Sequence, residues 1–126
     1  MKVLLPLSLV AALAAAPVFA DCAPPNIAVK IPDGASATKE DMLAAQHAIK
    51  DDDAAIAAFA DCLRTEQDAR IAAGGDKLTD ADKLKISAEY VNRQNAEVEK
   101  LQKLADQFNV ELRAYKAKVA PPAPQP

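Results

Sequence analysis

Between Thr38 and Ala73, the apolar side chains Met42, Ala45, Ile49, Ile56, Phe59 and Leu63 return at alternating steps of three and four residues, with Asp52 in the one remaining place. Each return of that kind brings a side chain back to the same stripe of an α-helix. The opposite face carries Lys39, Lys50, Asp51, Asp53, Asp61 and Arg64. Thr38 is placed to cap the helix, its hydroxyl accepting from the amide of Asp41. Glu40 and Asp41 put negative charge against the positive end of the helix dipole. Gly74-Gly75 tolerates the left-handed geometry that ends a helix. One long amphipathic helix is expected over 38–73.

A short connection, Gly74 to Leu78, leads to Thr79, which opens a second helix with a Thr-x-x-Asp capping pattern. Its expected stripe is Leu84, Ala88, Val91, Val98, Leu101, Ala105, Phe108, Leu112, Tyr115 and Val119, with Asn95 in the gap as a register-setting polar residue. Steps of four and three hold throughout, except around Val98 and Leu101, where two threes adjoin. That is a local overwinding, or a widening of the stripe to take in Leu104. Lys116 and Lys118 suit the C-terminal end, and Pro121-Pro122 stops the helix, leaving 120–126 as a Pro-rich tail. Helices over about 38–73 and 79–118 match in length. The fold class expected is all-α: a long, coiled-coil-like antiparallel two-helix hairpin.

Residues 21–37 have a different grain. Pro24-Pro25 stiffens the chain, Ile27, Val29 and Ile31 alternate, and Pro32-Asp33-Gly34 is a turn signal just before the helix. The expectation is an extended N-terminal strap lying on the helices; a disordered leader is the alternative. The two cysteines, Cys22 and Cys62, lack CxxC spacing. Intramolecular pairing is the economical reading, with an intermolecular disulfide or two free thiols as competitors. It is geometrically possible. The 24 residues from Thr38 to Cys62 make about 36 Å of helix. The 16 residues from Cys22 to Thr38 reach roughly 50 Å when extended. A disulfide would then tie the strap back along the first helix. Such reinforcement suits a chain rich in Ala and lacking Trp, whose core is thin.

The residues Ile31-Pro32-Asp33-Gly34, Ala37-Thr38, Met42, Gln46, Lys50, Phe59 and Cys62 resemble the pattern of an uncharacterised family of small exported bacterial proteins. Those have a Pro-rich leader, an Asp-Gly turn and a long helix with a cysteine. The resemblance covers about residues 22–66 and implies no activity; Phe59 stands where the pattern more often has Tyr.

Residues 1–20 read as a signal peptide: Lys2 as the charged start, an apolar run from Val3 to Ala16, and Val18-Phe19-Ala20 as the cleavage site. The run is short for a membrane anchor, Pro17 precedes the cut, and the chain beyond is polar, so no membrane span is expected after cleavage. Asp21 before Cys22 disfavours lipidation. The protein is therefore expected to be exported, periplasmic or secreted. Without Lys2 it carries 14 basic residues against 18 acidic ones, a balance that argues against nucleic-acid binding.

Chemistry has few candidates. His47 and Asp51 stand one helical turn apart and are the weak metal candidates, but nothing supplies a third fixed ligand. Ser36 precedes a cap and Ser87 is mid-helix, and neither has an oxyanion-hole turn near it. No catalytic residue and no cofactor is expected. The favoured reading is a non-catalytic helical structural or interaction protein. A homodimeric four-helix bundle, or another protein partner, would cover apolar stripes that the strap leaves open, with Val98, Leu101, Leu104, Phe108 and Leu112 expected to be the open part. Alternatives are a periplasmic stress or chaperone-like binder, a metal-associated binder, or an adaptor or inhibitor of an exported enzyme.

Overall fold

The computed structural model describes residues 21–122; the expected signal peptide over 1–20 and the last tail residues, 123–126, lie outside the described residues. Helix α1 spans Lys39–Gly74 and helix α2 spans Asp80–Val119, joined through a 3-10 turn at Gly75–Lys77. Thr38 and Thr79 are the N-caps, each within a reciprocal box: the Asp41 amide donates to Thr38 Oγ1 at 3.1 Å and the Thr38 amide donates to Asp41 at 2.9 Å. Thr79 and Asp82 repeat the arrangement at 3.1 and 3.0 Å. Bonds from the Thr38 backbone amide and hydroxyl hold the Asp41 carboxyl below its ordinary range, and bonds from the Thr79 hydroxyl and amide do the same for Asp82. Gly75 closes α1 at φ +48°, where a Cβ would be strained. The antiparallel hairpin expected from the sequence is the fold, with helix limits moved by one residue.

The α1 stripe is buried as its spacing predicts: Met42, Ala45, Ile56, Phe59 and Leu63 are inside and Ile49 is half-buried. Asp52, the polar member, is half-buried, and its Oδ2 is enclosed without a hydrogen-bond partner. Phe59 and Leu63 join Cys22, Ile86 and Tyr90 in one apolar cluster near the turn; Met42 and Ala45 join Ala37 and Phe108 in another at the open end.

The first half of α2 corrects the sequence reading. Leu84, Ala88, Val91, Asn95 and Val98 are exposed rather than on the seam, and the buried positions are Ile86, Tyr90 and Glu97. The buried or half-buried series 86, 90, 93, 97, 101, 104, 108, 112, 115 advances by about 3.6 residues, the period of a straight helix. The expected stripe ran at 3.5, which drifts about 20° per heptad away from a straight helix's contact line. The two adjoining threes at Val98 and Leu101 mark where that apolar stripe leaves the outside of the hairpin and joins the seam. Polar Arg93 and Glu97 disguised the true line. Glu97 is 5% exposed and accepts from Lys100 Nζ at 2.7 and 2.9 Å.

A second correction concerns the distal half of α2. Phe108 is buried and Leu101, Leu104 and Leu112 are half-buried, so of the residues expected to be open only Val98 is exposed. The strap contributes at the open end, where Ile31 packs against the cluster that holds Ala37 and Phe108 and that Leu112 joins; Leu101 and Leu104 are half-buried because they fall on the 3.6-residue line that faces α1. Along the strap, Pro25, Ile27, Val29 and Ile31 are half-buried while Asn26, Ala28 and Lys30 are exposed, the alternation of an extended chain.

Candidate functional site

Two constructions define the molecule's surface: a clasp that fastens the strap on one side of the hairpin, and an apolar flank on the other. The clasp begins with the intramolecular Cys22–Cys62 disulfide, which spans 5.9 Å between Cα atoms and closes a separation of 40 residues. Glu66, one turn beyond Cys62, accepts from the Cys22 amide at 3.2 Å, from the Tyr90 hydroxyl at 2.9 Å and from Arg93 Nη1 at 3.4 Å. Arg93 Nη2 donates to the Cys22 carbonyl at 2.9 Å. The guanidinium lies over the Tyr90 and Phe59 rings, 5.4 and 6.0 Å from their centroids. Burial pushes the Glu66 carboxyl up, but bonds from Tyr90 and the Cys22 amide, with the Arg93 charge, outweigh it and leave the group below its ordinary value. Burial, then the Glu66 acceptor, push the Tyr90 phenol up. Glu66 is therefore a carboxylate held ionised to tie three elements together.

The strap's other end is fixed at Pro32-Asp33-Gly34. The Ala37 and Ser36 amides donate to the Asp33 carbonyl at 2.7 and 3.1 Å, and the Ala35 amide donates to Asp33 Oδ1 at 2.9 Å. The Gly34 amide donates to Glu111 Oε2 at 2.8 Å, and a Cβ at Gly34 would lie 1.8 Å from the Glu111 carbonyl oxygen. Only glycine lets this turn sit directly on the α2 backbone. Lys118 Nζ donates to the Ala37 carbonyl and lies 5.0 Å from the Tyr115 ring centroid.

Sequence reasoning identified the cysteines but not Glu66, Tyr90 or Arg93. Continuing the α1 spacing past Leu63 by three residues reaches Glu66, and stepping from Ile86 by four and three reaches Tyr90 and Arg93. The signal was present, hidden because these members of the stripe are polar.

The chemical candidates remain apart. His47 and Asp51 are both exposed on α1, and among the described residues no group of three or more His, Cys, Asp and Glu could hold a metal ion. Ser87 Oγ accepts from Gln67 Nε2 at 2.9 Å, which places it opposite Gln67, about 30 Å of helix from His47. Ser36 is engaged with Asp33 in the turn.

The other side of the seam is open. Residues Asp41, Ala44, Ala45 and Ala48 of α1 line the strap side with Val29 and Lys30, whereas Ile49 and Asp53 face Val98, Gln102 and Ala105 across a shallow groove of about 330 Å³. On the α2 flank of this open side stand Leu84, Val91 and Val98, 72%, 51% and 43% exposed. They are seven residues apart, so they share one line along about 21 Å of helix. Among the described residues no helix is long and apolar enough to cross a membrane. No protein-family model, curated protein or solved structure matches this chain.

Proposed function

We propose that this chain is a non-catalytic, exported helical protein that works by protein–protein contact through its strap-free side. The observation that carries the reading is the asymmetry of the hairpin. One groove is closed by a covalently fastened strap, while the opposite flank presents Leu84, Val91 and Val98 in line to solvent. Three large aliphatic side chains aligned on one exposed line of a helix are what supports reading that flank as an interface. The placement of Ser87 opposite Gln67, about 30 Å of helix from His47, and the engagement of Ser36 with Asp33 in the turn support a non-catalytic role. Export is supported by the disulfide, which persists in oxidising compartments, together with the signal-peptide pattern of residues 1–20. Intact-mass measurement on exported protein should give a chain beginning at Asp21; a mass retaining Met1 or a lipid on Cys22 would overturn that part.

Photo-crosslinking tests the interaction reading. A crosslinker at Val91, on the open flank, should trap discrete protein adducts in cells. The same group at Lys30, on the outward side of the strap, should trap few. Equal adducts from both positions would indicate nonspecific collision and sink the reading. So would none from either.

A further inference from the structure

We infer that the occupant of the α2 flank is a second copy of this chain, packed antiparallel on the same flank about a two-fold axis near Asn92-Arg93; this rests on the interaction reading above. Ala81, Leu84, Ala88, Val91, Asn95 and Val98 are all exposed and follow strict steps of three and four. This is the 3.5-residue period of a coiled-coil seam. Apart from Val98, which faces Ile49 across the groove, the hairpin's internal contacts leave this set of α2 unused, because the seam with α1 follows the 3.6-residue series instead. A sequence that keeps a second, heptad-spaced apolar line on the outside of a helix already packed on its inside specifies a second helix there.

Charge selects the partner and its direction. Beside the seam, on the edge away from α1, lie Lys85, Asn92 and Glu99, again seven residues apart and all exposed. Among the described residues neither Lys85 nor Glu99 forms an ion pair within the chain. In an antiparallel pair, equivalent edge positions of the two helices face each other. A two-fold axis near Asn92 therefore sets Lys85 against Glu99 of the second copy, Glu99 against its Lys85, and Asn92 against its own counterpart. The pattern is self-complementary under that operation, as an isologous interface requires. Val91 then packs beside the second copy's Val91 and Asn95, and Leu84 beside its Val98 and Gln102. In a parallel pair Lys85 and Glu99 would sit 14 residues, about 21 Å, apart along the axis and never meet. The straps lie on the outer sides of such a pair, clear of the contact.

The test is sedimentation equilibrium of the full chain with its disulfide intact, up to high micromolar concentration at low salt, on the wild type and four variants. All substituted positions are exposed in the hairpin, so circular dichroism should show every variant folded. The wild type should form a dimer. Val91→Lys, which places two like charges at the axis, should weaken it by about a hundredfold or more. Lys85→Glu and Glu99→Lys should each weaken it by about tenfold, since both symmetry-related contacts become repulsive. The double variant K85E/E99K should restore wild-type affinity. A dimer that the charge reversals do not affect, or that the double variant fails to rescue, overturns the antiparallel flank. A dimer insensitive to Val91→Lys overturns the flank altogether. A monomer throughout overturns self-association. The photo-crosslinking result at Val91 stands separately from all of these: adducts with a different protein there would leave the interaction reading intact while the second copy fails as its occupant.

Discussion

Removing the disulfide should cost the protein a large part of its thermal stability while leaving most of its helix in place. The bond closes a separation of 40 residues. On the chain-entropy account, a loop of that length restricts the unfolded chain by about 13 cal/mol/K, or about 4 kcal/mol at 25 °C. For a domain of this size, each kcal/mol moves the midpoint by about 4–8 °C, so the shift should be about 15–20 °C or more. Helicity at low temperature should change little, because the strap from Asp21 to Ala37 contributes no helix and both helices carry their own caps. The bonds of Glu66 and Arg93 to Cys22 survive reduction, so the strap should stay docked in the cold and be released on heating. The measurement is thermal circular dichroism at 222 nm on the oxidised protein, the reduced protein and the double variant Cys22→Ala/Cys62→Ala. A shift under about 5 °C would show that the disulfide does not restrict the unfolded chain as argued. Loss of most of the helical signal at 20 °C would show instead that the hairpin cannot stand without a tethered strap.

The remaining predictions separate the inside of the hairpin from its outside. Phe59→Ala should cost about 3–5 kcal/mol, since Phe59 is 6% exposed, whereas Val91→Ala at low protein concentration should stay within about 0.5 kcal/mol; equal losses in denaturant melts would put the wrong face inside. Gly34→Ala should cost about 1–3 kcal/mol and raise amide exchange at position 34 and at Ala37 more than near Cys22, because the new Cβ meets unyielding α2 backbone; unchanged exchange there would refute the close approach. Asp52→Ala should stabilise by about 1 kcal/mol, since it removes an enclosed oxygen without a partner and adds helix propensity, and a lower denaturation midpoint would contradict this. Glu66 has its folded pKa depressed, so its contribution is fully present above its ordinary value of 4.5 and is lost as pH falls through that value and the folded one. Stability of the wild type should thus fall more steeply than that of Glu66→Gln below pH 4.5; parallel acid limbs would show that the clasp does not depend on the ionised group.

Local chemistry was enough to determine the helices. Thr38 and Thr79 with aspartates three residues on, the glycine pair at 74–75 and the alternating aliphatics of the strap act within a few residues of themselves. Their consequences therefore appear in the sequence. The α1 stripe was equally legible, because its apolar positions are the ones that become buried. The face of α2 was not. It carries two lines: an apolar one at 3.5 residues through Leu84, Val91 and Val98, and a mixed one at 3.6 residues through Ile86, Tyr90, Arg93 and Glu97. Hydrophobicity alone favours the first. The tertiary structure chose the second, because the strap delivers Cys22, with its amide and carbonyl, to the groove beside Glu66. Tyr90 and Arg93 donate into that polar cluster, and the Arg93 guanidinium also lies over Phe59. Leaving the half-buried Glu66 carboxylate without the Tyr90 and Arg93 donors carries a desolvation cost that opposes the gain from burying the three aliphatic side chains.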